Sequence, residues 1–475
     1  MSPMRIALVC GDGLPVSGLL TIFRNVRELG RSMGIVENSV AADLGYSWRP
    51  DKKRFFPAGN GAGMTAPWME IAVNAAVTHL DPDRLAAEID ELRRLTVRFD
   101  DLDSEQCDDL TARTAQLRAL YTEHFEKWLA RHQPDWVFAV NTTLPDAVFV
   151  TRALHEAAAA FYRDRPGGLL VWDHDLFGSC AVWDAEAGQR HYPAAPNAAT
   201  PLPAAAPHLR WVVVSETLAR EARRYPTTAR PRVVPNILPA IGDSLETRHR
   251  QAAAQLGLDP GRPVLLNPVR VFRVKGVDLA IRLHHAVIEH RRLAGAALPY
   301  LLVFGALDED PGYATEVIEL VERLGTGEHV RFLNGVPLGT SRDEHGRWYL
   351  DEADLLTLAR VSRGGVVFTP SVPDVETVGL GPALAARAAV PCVVTGYDVF
   401  PDTYGPGFTC TRFATTGEGL DAAAAAFADD LTDFGRDAPA LLERLRINGD
   451  VVDRRFPDQP WRSVLTELQE RLRYR

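Results

Sequence analysis

The chain has 475 residues, of which 46% are hydrophobic and 24% are charged, and its formal net charge is −10. This length fits two to three domains and the composition is typical of a soluble globular protein, whereas the negative charge argues against a general nucleic-acid binder. No apolar run approaches the ~20 residues that span a bilayer, and the N-terminus lacks the layout of a signal peptide, so we expect no stable membrane insertion. Five scattered cysteines form no CxxC pair, which favours a reduced, cytoplasmic protein.

The first predicted elements are a strand, a glycine-rich loop and a helix. Residues 5–10 form an apolar strand, and helical spacing of apolar residues predicts a helix over residues 19–30. The loop between them resembles a dinucleotide-binding fingerprint, but Val16 stands where the third glycine belongs and Pro15 interrupts the motif. We therefore interpret it as a loop that lets a ligand approach the carboxyl end of the strand.

The remainder of the first half alternates between helical and strand-like segments. Residues 36–68 are predicted to be irregular, and residues 81–131 mostly helical. The irregular stretch carries basic and aromatic residues, which would suit either contact with an acceptor molecule or a solvated insertion with a few packing anchors. Residues 193–207 are rich in Pro and Ala, and we expect an exposed loop there. Strand-like runs occupy residues 136–140, 169–172 and 211–214.

A second alternating series follows a predicted domain boundary at residues 239–247. Its strand-like runs cover residues 264–268, 300–304, 330–333, 366–369 and 392–395, and its helices cover residues 277–294, 314–324, 352–361 and 419 onward. Such alternation predicts parallel sheets covered on both faces. We therefore predict an α/β protein with domains at residues 1–240 and 241–457, and an amphipathic tail, residues 458–475, that packs back on the first domain.

The most informative stretch is the strand, loop and helix at residues 366–389. The strand ends at Pro370-Ser371, the loop carries Glu376, and Pro382 suits the first turn of the following helix. The first N–H groups of a helix lack partners and hold anions well. An acid beside such a site has little reason to bind phosphate, so Glu376 is predicted to face a neutral group, and a sugar next to a diphosphate would fit both.

Arg270 and Lys275 lie in the loop after the first strand of the second series, followed by Gly276 and a helix. Two cations at the carboxyl end of a strand can clamp a phosphate-bearing leaving group, since arginine offers a planar fork and lysine a compact charge. The alternative is that both are solvated surface cations.

Acidic residues and a histidine follow two other strands. Asp173, His174 and Asp175 end a first-domain strand, and residues 308–310 form a second acidic cluster. The two aspartates are spaced as metal ligands sometimes are, but no set of His, Cys and Asp residues accompanies them, so we expect no metal. His174 could donate a hydrogen bond to a substrate or could be a buried structural histidine.

These motifs together resemble retaining glycosyltransferases of family four, which have the GT-B fold of two Rossmann-like domains facing each other across a cleft. The resemblance runs through most of the chain. It rests on Ser17-Gly18, His174-Asp175, Ser215, Val234-Pro235-Asn236, Arg270 with Lys275-Gly276, and Pro370-Ser371 through Gly379-Leu380.

The resemblance implies a nucleotide-diphosphate sugar as donor, bound mainly by the second domain, and a small soluble acceptor bound by the first. Arg270 and Lys275 would stabilise the leaving diphosphate, Glu376 would bind sugar hydroxyls, and His174 would face the sugar. Further substrate contacts would come from Ser17, Gly18, Asp175, Thr377, Val378, Gly379, Leu380 and Gly381. Transfer would proceed with retention, without a metal and without a cofactor besides the sugar nucleotide, in a role compatible with specialised metabolism.

One position departs from the family pattern. The family places a second glutamate eight residues after the first, usually on the nucleotide ribose, and here that position is Leu384. A leucine cannot accept hydrogen bonds from hydroxyls. The sequence therefore leaves open the base, the sugar, the acceptor and the oligomeric state. It also leaves open a pseudo-glycosyltransferase, a sugar-nucleotide epimerase or a non-catalytic nucleotide-binding remnant on the same fold.

Overall fold

The structure is a computed structural model that describes residues 2–13, 17–48, 66–77, 80–177, 182–184, 189–191 and 196–473. The strands are β1 Ile6–Cys10, β2 Val40–Asp43, β3 Met69–Ala72, β4 Trp136–Val140, β5 Gly168–Asp173, β6 Val182–Asp184, β7 Gln189–His191, β8 Leu209–Val213, β9 Arg232–Val233, β10 Val264–Asn267, β11 Tyr300–Val303, β12 Val330–Phe332, β13 Ser341–Arg342, β14 Trp348–Tyr349, β15 Gly365–Phe368, β16 Cys392–Thr395 and β17 Thr411–Phe413. The helices are α1 Gly18–Ser32, α2 Pro82–Val97, α3 Ser104–His132, α4 Val148–Phe161, α5 Glu216–Ala222, α6 Thr247–Gln255, α7 Val277–Leu293, α8 Pro311–Arg323, α9 Glu352–Val361, α10 Gly381–Arg387, α11 Phe400–Tyr404, α12 Leu420–Gly435, α13 Pro439–Arg455 and α14 Gln459–Arg471. Among these helices, none is long and apolar enough to cross a membrane.

The first sheet is parallel, with the strand order β3-β2-β1-β4-β5-β8-β9. Successive side chains of a strand point to opposite faces, and β1 shows this clearly. Ile6, Leu8 and Cys10 belong to a core on one face, which includes side chains of α1, α5 and α14. Ala7 and Val9 belong to a core on the other face, with α2, α3 and α4. Both faces are covered, as the apolar runs in the sequence predict.

The second sheet is also parallel, with the order β12-β11-β10-β15-β16-β17. Its strands β10, β11, β15 and β16 are buried along their whole length and share one hydrophobic core with the surrounding helices. In each sheet the strand order reverses beside the first strand of the series, between β1 and β4 and between β10 and β15. Open α/β sheets bind ligands outside the carboxyl ends of their strands at such a point.

The C-terminal helix α14 packs against the first sheet. Trp461 is fully buried, its ring lies 4.4 Å from that of Trp172, and its indole N–H donates to the Pro235 carbonyl at 2.9 Å. The indole N–H of Trp136 in β4 donates to the Leu468 carbonyl at 3.1 Å. The end of the chain therefore ties the second half of the protein to the core of the first half. The predicted limits at residues 240 and 457 stay a prediction.

Two sequence predictions about loops were wrong. The stretch predicted to be irregular at residues 36–68 contains β2, a four-residue run too short to show an alternating pattern, while Lys52 to Phe56 of its basic-aromatic part lie outside the described residues. The part of residues 193–207 that is described is not simply exposed. Asn197 is buried, donates to the Thr96 carbonyl at 2.8 Å, and accepts from the Ala199 N–H at 2.9 Å. Its amide satisfies backbone groups, so a Pro- and Ala-rich loop can pack against the domain.

We predict that Trp461→Ala lowers the free energy of unfolding by about 3–5 kcal/mol, because it leaves a cavity between α14 and the first sheet. Urea or thermal denaturation measures the change. Leu293→Ala is the control, since Leu293 is 88% exposed and should leave the stability nearly unchanged. Equal stability of the Trp461 variant and the control would contradict the packing role of α14.

Candidate functional site

A cleft of about 390 Å³ lies between the carboxyl ends of the two sheets. Its first-sheet side includes residues that directly follow β1, β4 and β5, among them Asp12, Asn141 and His174. Its second-sheet side includes Arg270 after β10 and Glu376 after β15. The residues that the sequence singled out at separate strand ends therefore meet at one place.

Lys275 and Glu376 form an ion pair in this cleft, with the lysine Nζ 2.7 Å from Glu376 Oε1. The side chains are 26% and 12% exposed, so the pair is partly shielded from water. A lysine ammonium has three N–H donors, and Glu376 uses one of them. The pair therefore retains the capacity to bind a further anion.

The loops that carry these two residues are tied together by hydrogen bonds. The Ser371 N–H donates to the Val274 carbonyl at 3.1 Å, and the Thr369 hydroxyl donates to the Gly276 carbonyl at 2.9 Å. Gly276 has φ +61°, and a Cβ there would lie 1.9 Å from the Thr369 carbonyl oxygen. A glycine is required after Lys275, because only it permits this close approach of the two loops.

Arg270 is held by a glutamate from the loop after β11. Its Nε donates to Glu309 Oε2 at 2.6 Å, and the Glu309 side chain is 1% exposed. The guanidinium lies over the Phe272 ring, and its Nη1 is 3.7 Å from Asp12 of the first domain. Binding through Nε orients the planar fork and leaves Nη groups directed to the cleft. The sequence marked Glu309 only as part of an acidic cluster, and the structure gives it this positioning role.

The loop from Val378 to Gly381 brings backbone N–H groups to the cleft. Gly379 has φ +70°, and its carbonyl accepts from the Tyr397 hydroxyl at 3.1 Å and from the Tyr404 hydroxyl. A Cβ at Gly379 would lie 2.4 Å from the Tyr397 side chain. Within the described part of the chain, the N–H groups of Gly379, Leu380 and Gly381 have no protein acceptor. This loop could therefore donate to an anion.

Asn141 organises the first-domain side of the cleft. It follows β4 with φ +52°, and its Oδ1 accepts from the N–H groups of His174 at 2.6 Å and Asp175 at 3.2 Å. Its amide nitrogen donates to Asp175 Oδ2 at 3.2 Å. A single side chain thus fixes the loop after β5, a role that no sequence motif marked.

His174 is a neutral imidazole at the edge of the cleft. Burial lowers the pKa of His174 to about 3, opposed by a hydrogen bond with Asn236. Its Nε2 is 3.0 Å from Asn236 Oδ1, an acceptor, so we assign the proton to Nε2. Among the described residues, Nδ1 has no hydrogen-bond partner. His174 is therefore a neutral imidazole whose buried Nδ1 is unpaired, and it does not serve as a cation.

Asp175 spans the cleft towards the second domain, whereas Asp173 lies beneath it. Burial raises the pKa of Asp175, and the charge of Lys275 and a hydrogen bond from Thr377 oppose that rise. Asp173 is fully buried, accepts from the Trp211 indole N–H at 2.8 Å, and burial raises its pKa to about 7. The two aspartates thus have separate surroundings. No group of three or more His, Cys, Asp or Glu residues in the described ranges could hold a metal ion.

Of the remaining residues predicted to bind substrate, one caps a helix and the others line the cleft. Ser17 is the N-cap of α1, and its Oγ accepts from the Leu20 N–H at 3.1 Å, so its visible role is structural. Gly18, Thr377 and Leu380 line the cleft. Leu384 also lines it and is 5% exposed, which leaves an apolar surface where an acid was expected. Sequence reasoning missed Asp12, whose position two residues after the end of β1 was the available signal.

No protein-family model matches the chain, and no curated protein matches it in sequence. Solved structures match its fold over nearly the whole length. Sucrose-phosphate synthase from Thermosynechococcus elongatus is 15% identical, with 99% of each chain covered and a TM-score of 0.55. HepE from Anabaena, solved with UDP and glucose, is 14% identical, covers 99% of this chain and 100% of its own, and has a TM-score of 0.54. WaaG, a glycosyltransferase involved in lipopolysaccharide biosynthesis, is 14% identical, covers 98% of this chain and 99% of its own, and has a TM-score of 0.54.

These neighbours are GT-B glycosyltransferases, and the chain has the GT-B fold. The predicted fold class is confirmed: two Rossmann-like sheets face each other across a cleft. Identities of 14–15% show the fold alone, so the activity has to be argued from the site.

We predict that His174 takes up no proton between about pH 5 and about pH 8, because burial holds its pKa near 3. In NMR of ¹⁵N-labelled histidine, the His174 imidazole signal, assigned by its loss in His174→Asn, should stay constant over this range. A titration midpoint near neutral pH for that signal would contradict the buried, neutral assignment.

Proposed function

We propose that the protein is a retaining glycosyltransferase that moves a sugar from a nucleotide-diphosphate sugar to a small soluble acceptor, without a metal or another cofactor. The observation that carries the proposal is the placement of Arg270, Lys275 and Glu376 in one cleft of a GT-B fold. Two cations suit a leaving diphosphate, and the acid beside them suits sugar hydroxyls.

Cleavage of the bond between the sugar and the diphosphate places negative charge on the leaving oxygen. Lys275 and Arg270 can stabilise that charge with N–H donors that Glu376, Glu309 and Asp12 do not occupy. Both cations are held by carboxylates before the donor binds, so little reorientation is required during the reaction. The N–H groups of Gly379 to Gly381 offer further donors to the diphosphate.

Glu376 and His174 fit the recognition of a sugar between the two domains. Glu376 can accept from sugar hydroxyls through the oxygen that Lys275 does not bind. His174 lies on the opposite side as a neutral imidazole, and its buried Nδ1 has no hydrogen-bond partner among the described residues. Neither group has to form a covalent bond to the sugar, which agrees with transfer with retention by attack on the same face.

The first-domain side of the cleft suits a small acceptor with an apolar part. Trp48, Leu144 and Val150 line it together with Asn141 and Asp12. Apolar walls with a few polar groups are typical of small-molecule sites.

Free thiols at Cys10, Cys107, Cys392 and Cys410 fit the reducing conditions of the cytoplasm.

The structural neighbours support the choice of donor. The structure of HepE was determined in complex with UDP and glucose and, separately, with UDP-glucose. A UDP-sugar is accordingly the first donor to test, with GDP- and ADP-sugars beside it.

One observation favours a second candidate, a non-catalytic nucleotide-binding protein. Leu384 places an apolar side chain in the cleft where the family pattern has an acid. That protein would bind nucleotides in calorimetry but release no nucleoside diphosphate with any acceptor, whereas the proposed transferase turns over.

We predict that Arg270→Ala and Lys275→Ala each lower kcat/KM by about 10²–10³-fold, because each removes a donor to the leaving diphosphate. Release of nucleoside diphosphate from UDP-, GDP- and ADP-sugars, screened against acceptor mixtures, measures the activity. NMR of the product's anomeric proton tests retention.

Arg273→Ala is the matched control for these variants. Arg273 lies in the same loop, is 62% exposed, and pairs with Glu316 outside the cleft, so its loss should leave turnover unchanged. Full activity in both cleft variants, or equal losses in all three, would refute the leaving-group role.

A further inference from the structure

One carboxylate of the cleft lies away from the two cations. Glu352 is the first residue of α9, is partly buried, and lines the same cleft as Lys275. The charged groups that act on it are Arg24 of α1 and the adjacent Asp351. Those that act on Asp175 are Lys275 and Glu376. The cleft therefore has two electrostatically distinct ends, one around Lys275 and one around Glu352.

The cation that acts on Glu352 makes its hydrogen bonds to other groups. Arg24 donates through Nη1 to Asp351 Oδ2 at 3.0 Å and to the Leu338 carbonyl at 3.2 Å. Its Nε and Nη2 donate to Asn25 Oδ1 at 3.2 and 3.0 Å. These bonds connect α1 of the first domain to the second domain and use both sides of the guanidinium. Four of the five N–H donors of Arg24 are thus used by these groups, and none of these bonds goes to Glu352.

Glu352 itself makes no hydrogen bond or ion pair with the described residues. The other acids near the cleft differ: Glu376 binds Lys275, Glu309 binds Arg270, and Asp175 binds Asn141. A carboxylate that is partly buried without a partner loses hydration that nothing replaces. Burial accordingly raises the pKa of Glu352 to about 7. A ligand with hydrogen-bond donors would supply the missing partners.

The residues around Glu352 indicate which chemical class of ligand would fit there. Leu238, Leu380 and Leu384 line the cleft with it, so apolar walls accompany a single strong acceptor. A phosphate is excluded by its charge. A ring with adjacent N–H or O–H groups fits both the apolar walls and the single acceptor.

We propose that Glu352 binds the nucleoside part of the donor, accepting hydrogen bonds from two adjacent donor groups. This inference rests on the proposed function, in which the diphosphate lies at Arg270 and Lys275. Two parts of a nucleoside carry such a pair: the 2′- and 3′-hydroxyls of ribose, and the N1–H and N2–H edge of guanine. Glu352 is then a specificity residue, and it supplies the acceptor that Leu384 lacks.

Calorimetric titration of Glu352→Gln tests the proposal. Glutamine keeps the shape but loses the charge and one acceptor, so affinity for the bound nucleoside diphosphate should fall by about 10- to 100-fold. Affinity for inorganic pyrophosphate, which contacts only the cation end, should stay unchanged. Glu344→Gln is the control, because Glu344 is 87% exposed and lies outside the cleft.

Analogues of the nucleotide distinguish the two sources of donor groups. If ribose binds Glu352, the 2′- and 3′-deoxy nucleotides bind the wild type weakly. The substitution then lowers their affinity no further. If guanine binds Glu352, the substitution lowers the affinity for GDP but not for UDP or ADP. Inosine diphosphate lacks the N2 amine, so the substitution should lower its affinity less than that of GDP. Either pattern supports the proposal.

Binding of nucleotide sugars should also depend on pH. Hydrogen bonds from the ligand favour the carboxylate form, so the pKa of Glu352 falls on binding and affinity rises as pH increases through about 7. Asp351 and Arg24, the charged groups beside it, are paired with each other. A nucleotide sugar is the right probe because its diphosphate has no proton to lose near neutral pH. Glu352→Gln should remove this dependence.

Three results would overturn the inference. Unchanged affinity of Glu352→Gln for every nucleotide shows that the carboxylate does not touch the nucleoside. An equal loss of affinity for pyrophosphate and for nucleotides shows that the substitution has a general structural effect. Absence of nucleotide binding by the wild type defeats the proposed function as well, whereas the first two results leave that function standing.

Discussion

Hydrogen bonds between the loops that follow β10 and β15 set the geometry of the second-domain half of the cleft. Thr369 and Ser371 bind the backbone on either side of Lys275, and Gly276 is the residue that permits their approach. Because of this contact, Lys275 and Glu376 face each other although 101 positions separate them in sequence. The acid and the cation of the proposed donor site are therefore positioned by the fold rather than by the ligand.

The two cations of the cleft, Arg270 and Lys275, are paired with carboxylates before any ligand binds. Arg270 lies between Glu309 and Asp12, and Lys275 is bound to Glu376. Such pairing keeps two cations near each other in a partly buried site, where unpaired charges would be costly. An incoming diphosphate can bind the N–H donors of these cations that the carboxylates leave unoccupied.

Much of this organisation could be predicted from sequence, for identifiable physical reasons. The buried parallel strands read as apolar runs, and Lys275 and Glu376 each follow such a run, so a shared edge was expected. Asn141 and Asp12 could not be assigned, because their roles depend on a left-handed backbone and on contacts between domains. The four-residue strand β2 was missed because it is too short to show a period. The sequence placed Glu352 only at the start of a predicted helix, and the structure shows that it lines the cleft without a partner among the described residues.

A crystal structure of the protein with a bound nucleoside diphosphate tests the central claim most directly. The account predicts diphosphate oxygens within hydrogen-bonding distance of Lys275 Nζ and an Arg270 Nη group, with Glu376 left free for the sugar. Diphosphate bound elsewhere, or bound in the cleft while Lys275 and Arg270 contact only their present carboxylates, would contradict it.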